Sequence, residues 1–489
     1  MTNINCIGPT SKDYDEARII SNARFNYKPE LICFCEDEDD VKVAIARAAL
    51  QTPFPGIRIR AGGHHHVGMC SGNDVMMIDV SKMCSIDVDP VTGIATVGPG
   101  AKNGDIYQEL WKRTPPRVFP GGGCGDVRVG GFLQGGGWGP YSRALGMGCD
   151  RVVGFRIVLA NGDIWDVDRN DPDPKKQLLY WCVLGAGGGN FGVVTQYRIQ
   201  AEHIPGSLSS FTVAWDNPED RLAVMKEWRS NFLGSAHTGQ TSFCRVSTPS
   251  KVDPAVLIGG NWFAGPATKV VRLLEQLLPK TISMASSIRI DPVHAFQPSG
   301  FTHPEYQLGP PPAALQGVGA GTANLADTCA GNPFPHMVSS CFPTDNFGEV
   351  AMAELADYIA RSEEEGRARR YLSMHAMGGA IDDKSKDNVN CFPWRHKPFM
   401  LQYQAWWADP KDTQLGDACM QWLRDLRDQM RTNRYTEGAF INFPDDEIKL
   451  EDYYGKDTYG LLKKFIEHYD EKGVFCFPMG IPRPEKDCT

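Results

Sequence analysis

The chain has 489 residues, 42% hydrophobic and 22% charged, with a net charge of −9. Such a length supports two or three buried cores, and the acidic balance excludes a general nucleic-acid binder, which needs a basic face. No run of 18 apolar residues is present to span a membrane. The N-terminal MTNINCIGPTSKDYDEARII has no basic start leading into an apolar run, so no secretory leader is expected. The 15 cysteines are scattered without a short repeating spacing. They read mostly as reduced side chains of a cytoplasmic protein rather than a disulfide framework.

EDEDDVKVAIARAAL (36–50) sets acids ahead of an amphipathic run and predicts a helix. GIRIRAGG (56–63) predicts a short strand ending in glycines. VMMIDVSKM (75–83) and GIATVGPGA (93–101) predict strands joined by the turn-prone DVDPVTG, and GDIYQELWKR (104–113) a helix. GFRIVLANGDIWDV (154–167) reads as a hairpin about an Asn-Gly turn, and NFGVVTQYRIQA (190–201) as a further strand. Beyond about residue 205, helices are expected at 218–233, 269–278, 345–365 and 412–430, with strands at SSFTVAWD, YLSMHAM and FMLQYQAWW between them. The Gly-, Pro- and Ala-rich stretch 295–335 reads as a long loop, and LLKKFIEHYD near the end as a helix. The expected organisation is α+β, with a first domain over 1–205, a second over 206–436, and a tail over 437–489 that returns to the first.

Four glycine clusters fall in the first 200 residues: AGGHHH (61–66), FPGGGCGDVRVGG (119–131), QGGGWG (134–139) and GAGGGNFG (185–192). Glycine lets backbone amides approach a ligand closely, and rows of amides cradle a pyrophosphate. Four clusters in one region therefore favour a dinucleotide pocket over isolated turns. The pocket is not of the Rossmann type, because a strand rather than a helix follows GAGGGNFG. The run His64-His65-His66 suggests a metal. However, neighbouring side chains on an extended segment face opposite ways, and no CxxC or HExxH elsewhere completes a site, so no metal is expected.

These residues resemble a known family. Arg60-Ala61-Gly62-Gly63-His64, Cys124 with Val127–Gly131 and Gly135–Gly139, GGGNFGVVT at 187–195, and Tyr453-Tyr454-Gly455 with HYD at 468–470 are together similar to the berberine bridge enzyme-like branch of the vanillyl-alcohol oxidase superfamily. The resemblance implies an FAD-binding domain, and a substrate domain with an antiparallel sheet covered by helices. It implies FAD joined through its 8α-methyl carbon to His64 and through C6 to Cys124. It extends cofactor contacts to Arg60, Ala61, Gly62, Gly63, His65, Gly122, Val127, Val129, Gly130, Gly136, Gly139, Asn190, Gly192, Val194, Asn442 and Tyr454. Imidazole nitrogen and thiolate are suitable nucleophiles for the electron-poor flavin ring.

The implied reaction is hydride transfer from a hydroxyl-bearing or activated carbon of a bulky organic substrate to flavin N5, with O2 reduced to H2O2. Gly122 stands where relatives resemble an oxygen gate, and its small size favours an oxidase. The usual tyrosines are missing. Phe443 and His66 occupy two of their positions, and Met377 precedes Gly378-Gly379. His66, Gln402, Tyr403 and Tyr141 are the expected catalytic residues, with Asp382 a further candidate base, and His66 is preferred because histidine works as a base near neutral pH. Alternatives are a carbohydrate oxidase, an enzyme of oxidative cyclisation or desaturation, and a flavin-binding protein without activity. The expected partners are a small organic substrate and O2, with no nucleic acid or membrane, in a monomer or homodimer.

Overall fold

The computed structural model describes residues 4–51, 56–203, 208–234, 239–250, 253–262, 267–292, 334–362 and 368–483. The expected loop 295–335 lies almost wholly outside them. Among the described residues no helix is long and apolar enough to cross a membrane.

The N-terminal part carries two sheets. The first contains β1 (Asn5–Ile7), β2 (Leu31–Phe34), β3 (Ile57–Arg60) and β4 (Met76–Asp79) in the order β1-β2-β4-β3. β4 lies parallel to both β2 and β3 and is buried throughout. The helix Glu38–Ala49 follows β2. The Asp37 side chain accepts from the Asp40 amide at its start, and three acids fill its first turn, where the helix dipole favours them. The second sheet contains β5 (Ile86–Val88), β6 (Ile94–Val97), β8 (Val152–Val158), β9 (Ile164–Asp168) and β10 (Val193–Gln200) in the order β5-β6-β10-β8-β9. A short pair, β7 (Arg117–Val118) and β11 (Glu202–His203), stands apart. The Asn161-Gly162 hairpin forms between β8 and β9 as expected, with Gly162 at φ +86°. DVDPVTG departs from expectation. Its first residues belong to β5, which pairs with β6, while β4 pairs inside the first sheet.

The remaining strands form an eight-stranded antiparallel sheet: β12 (Ser209–Trp215), β13 (Gln240–Ser247), β14 (Val256–Trp262), β15 (Ser287–Pro292), β16 (His336–Pro343), β17 (Ala368–Ala376), β18 (Phe399–Trp407) and β19 (Thr436–Glu437). Their order is β15-β12-β14-β13-β17-β18-β16-β19. Helices Arg221–Glu227, Ala267–Leu277, Glu349–Ala360 and Thr413–Thr432 supply the apolar side chains of a core that includes Trp228, Leu274, Leu355, Leu401, Tyr403 and Leu426. A second core joins the β6, β8 and β10 region to the C-terminal helix Lys456–Asp470 through Leu462, Ile466 and Tyr469.

Most described cysteines are free, as expected, with exceptions. Cys6 and Cys33 are register partners on β1 and β2 and form a disulfide, and Cys476 is also disulfide-bonded. Cys6 and Cys33 are 27 residues apart in sequence, and only strand pairing brings them together. Among the described residues ten others are free.

Candidate active site

A cavity of about 380 Å³ lies between the glycine-rich loops and the large sheet. One wall is built from segment 61–66, which leaves β3, from 122–131, and from 186–190. Phe440–Pro444 of the C-terminal part close one side. The opposite wall is the sheet face not covered by helices: Phe243 and Arg245 from β13, Tyr371, Ser373 and His375 from β17, and Gln402, Gln404 and Trp406 from β18. The spacing of two follows from strand geometry, in which alternate side chains share a face. His64 and Cys124, 60 residues apart in sequence, line this one cavity.

The glycine loops fit a flat, extended cofactor. A Cβ placed on Gly131 would meet no atom within 4 Å, and one on Gly188 would find only Gly131 Cα and the Gln134 amide near the edge of contact. Both residues line the cavity, so their missing side chains leave open space for a ligand. Elsewhere the glycines serve chain against chain. A Cβ on Gly139 would sit 1.8 Å from the Gly121 carbonyl oxygen, and one on Gly135 1.7 Å from Asn442 Oδ1. The Gln134 carbonyl accepts from the amides of Gly185 and Gly187 at 2.7 and 2.9 Å. Tyr454 donates to the Ala186 carbonyl at 2.8 Å, and Asn190 Oδ1 accepts from the Ile481 amide at 2.8 Å. The C-terminal segment thus holds the 185–190 loop in shape.

Of the cofactor contacts expected from sequence, Ala61, Gly62, Gly63, His64, His65, Gly122, Cys124, Val127, Gly130, Asn190, Val194 and Asn442 line the cavity. Arg60, Val129, Gly136, Gly139, Gly192 and Tyr454 do not. Arg60 is turned away into an ion pair with Asp79 and a 2.6 Å bond to the Ala17 carbonyl. Val129 is fully buried in the core. Gly136 packs towards Phe392, and Gly192 approaches the Val158 carbonyl. These residues pack against other parts of the chain.

Burial shifts the two residues expected from sequence to attach the flavin in opposite directions. Desolvation pushes the His64 imidazole down to about 4, which leaves it neutral near pH 7. Desolvation pushes the Cys124 thiol up to about 11, with the nearby Asp126 carboxylate acting in the same direction. Lys102 pairs with Asp126 at 2.6 Å.

Of the expected catalytic residues, His66 and Gln402 line the cavity, whereas Tyr403 and Tyr141 do not. Tyr403 lies between Gln402 and Gln404 on β18, so alternation sends it to the helix side, where its hydroxyl meets Cys341 Sγ at 3.2 Å. Tyr141 is 1% exposed in the other core. Asp382 is at the surface against His396. Two further histidines join the site. His336 Nε2 is 3.0 Å from His66 Nδ1, and its ring stacks on Trp406. His375 lies beside Trp138, with ring centroids 4.4 Å apart. His375 was readable from sequence as the third of the alternating polar residues Tyr371, Ser373 and His375. His336 follows the loop stretch and carries no such signal.

The comparisons agree with this architecture. Residues 29–168 match a family described as FAD binding domain, and residues 439–482 one described as Berberine and berberine like. The chain is 30% identical to Berberine bridge enzyme-like 19 of Arabidopsis thaliana, over 92% of this chain and 77% of that one. It is 27% identical to an uncharacterised FAD-linked oxidoreductase, YgaK, of Bacillus subtilis, over 96% and 95% of the two chains. The solved structure of BBE-like 1 from Physcomitrella patens superposes with a TM-score of 0.84 at 20% identity, covering 99% of this chain and 98% of that one. This last likeness is one of fold.

Proposed function

This chain belongs to the berberine bridge enzyme-like family of FAD-linked oxidases, and we propose that it oxidises a hydroxyl-bearing carbon of a bulky organic substrate, with the flavin joined to His64 and Cys124. The observation that carries this reading is the convergence of His64, Cys124, His66 and a polar sheet face on one cavity. FAD, when bound, supplies hydride acceptance at N5 and the return of the electron pair to O2 as H2O2. His64 and Cys124 would hold the isoalloxazine end, and the loop at Gly187–Asn190, which lines the same cavity, would face the rest of the cofactor.

The substrate lies against the sheet face. His66 Nε2 would take the substrate's O–H proton as the carbonyl forms, and the bound cofactor would supply the acceptor for the hydride. Among the described residues Nε2 has no hydrogen-bond partner, and the ring lines the cavity, which is the geometry a base requires. Trp138, Phe443 and Trp406 contribute apolar surface that excludes water beside the reacting carbon. Gly122 lines the cavity at the position where a small residue favours reaction with O2, and a Cβ there would meet Phe132 at 3.1 Å.

A second reading, a carbohydrate oxidase, draws on the wall itself. Ser373, Gln402 and Gln404 offer hydroxyl and amide groups suited to a polyhydroxylated ring. The test is a panel of benzylic and aliphatic alcohols, phenolics, mono- and oligosaccharides. Anaerobic flavin bleaching and aerobic peroxide release are the readouts. Bleaching by sugars alone selects the second reading, and no bleaching by any class overturns both.

A further inference from the structure

We infer that His336 is the positioning residue for His66, holding its imidazole in the tautomer that carries hydrogen on Nδ1 and presents a lone pair on Nε2 to the cavity. Its part in the reaction rests on the reading of His66 as proton acceptor.

The inference follows from a chain of three polar groups, the Phe334 carbonyl and the rings of His336 and His66. His336 Nδ1 lies 3.0 Å from the Phe334 carbonyl oxygen. A carbonyl oxygen only accepts, so Nδ1 carries the hydrogen. In a neutral ring the other nitrogen is then bare. That nitrogen, Nε2, lies 3.0 Å from His66 Nδ1. Two bare nitrogens do not attract at that distance, so His66 Nδ1 is the donor and its own Nε2 is left with a lone pair. Which ring nitrogen of a histidine is protonated is fixed by the bond the other one makes, and here that bond is fixed in turn by a backbone oxygen.

The two rings are held in register by Asn22. Its amide nitrogen donates to the backbone carbonyls of His66 at 2.6 Å and His336 at 2.9 Å, and its oxygen accepts from the His336 amide at 3.1 Å. One side chain from the N-terminal segment thus ties the loop after β3 to the first residue of β16. The Trp406 indole lies 3.9 Å from the His336 ring at 26°, which opposes ring rotation. Phe443 approaches the other ring at 6.0 Å.

The surroundings keep both rings neutral. Burial pushes His336 down to about 3 and His66 well below its ordinary value. The charged and titratable groups acting on the pair are Arg24 from the N-terminal segment and His64 and His65 from the same loop as His66. Among the described residues no carboxylate acts on either ring, so His336 replaces the acidic orienting partner of a conventional histidine base. On accepting the substrate's proton, His66 becomes an imidazolium that still donates Nδ1–H to His336.

The test is nitrogen NMR of the flavin-loaded protein labelled with 15N-histidine, with the His66 signals assigned by their loss in His66→Gln. The expected spectrum shows His66 protonated at Nδ1 and bare at Nε2. His336→Phe, which removes the acceptor, should abolish that preference. His336→Gln should restore it, because its amide oxygen accepts from Nδ1. A wild-type His66 protonated at Nε2, or a preference unchanged in His336→Phe, overturns the inference. If His336→Phe does not fold, the wild-type and His336→Gln spectra still decide. The reading of His66 as base fails separately, if His66→Phe is reduced by a substrate of the panel as fast as the wild type.

Discussion

Gln402 Oε1 accepts a hydrogen bond from His375 Nε2 at 2.9 Å, across the neighbouring strands β18 and β17. An amide oxygen cannot donate, so His375 carries its hydrogen on Nε2. Burial pushes this ring down to about 4, and its buried Nδ1 has no hydrogen-bond partner among the described residues. Replacing Gln402 by Leu leaves the N–H buried and unpaired, at a cost of about 1–3 kcal/mol. Gln402→Glu places a carboxylate against the same nitrogen and should raise the pH at which His375 takes up a proton. Chemical denaturation of the first variant and histidine NMR titration of the second check the pair; an unshifted titration in Gln402→Glu would show that the contact is absent.

The states of His64 and Cys124 predict unequal attachment. The neutral imidazole is ready at neutral pH, while a thiol held near 11 is almost wholly protonated. Because the thiolate is the nucleophile, the cysteinyl link should form about tenfold faster for each pH unit between 7 and 9. The histidyl link should be nearly pH-independent there. Flavin-free protein mixed with FAD, quenched in acid and analysed by peptide mass, measures both. His64→Ala and Cys124→Ala should each retain one link. Retention of both links in either variant removes the assignment.

Acid should destabilise the flavin-free protein in a defined window. His65 and His375 are held at about 4 and His336 at about 3, against about 6.5 in an unfolded chain. A base whose folded value is depressed binds more protons when unfolded. Its contribution is therefore complete above about pH 6.5 and is lost as the pH falls towards 4. Thermal unfolding followed from pH 7.5 to 4 should show the midpoint falling below 6.5, and less steeply in His336→Phe. A midpoint that is flat to pH 5 contradicts neutral burial.

Two glycine substitutions should separate folding from cofactor binding. Gly131→Ala adds a methyl to open cavity and should leave thermal stability unchanged while slowing FAD uptake. Gly139→Ala forces a methyl to within 1.8 Å of the Gly121 oxygen. Overpacking of this kind costs about 1–3 kcal/mol or more, so destabilisation should come first. Unfolding midpoints and bound flavin absorbance distinguish them, and equal behaviour of the two variants would refute the distinction.

The loops that bring His64 and Cys124 to the cavity were legible because their determinants are local. His64, Cys124 and the 187–195 run are short glycine-bearing stretches whose residue types state their geometry. The substrate half is assembled by strand order and was only partly legible. Tyr403 and Gln402 are neighbours in sequence but face opposite ways, and nothing in FMLQYQAWW alone says which parity meets the cavity. The parity becomes fixed once Leu401 and Tyr403 join the helix-covered core. His336 was unreadable, since its role depends on Asn22, 314 residues away. The Cys6–Cys33 bond was hidden for the same reason, being a product of strand register.

The two faces of β18 also bear on how such a protein diversifies. Positions 402, 404 and 406 meet the ligand space, and 401, 403 and 405 meet the helices. The same holds for 371, 373 and 375 of β17 against 372, 374 and 376. Selection for a new substrate can act on one set while the other keeps the sheet folded. Descendants of this chain can thus exchange specificity at alternate letters of two short words, without altering the machinery that holds the flavin.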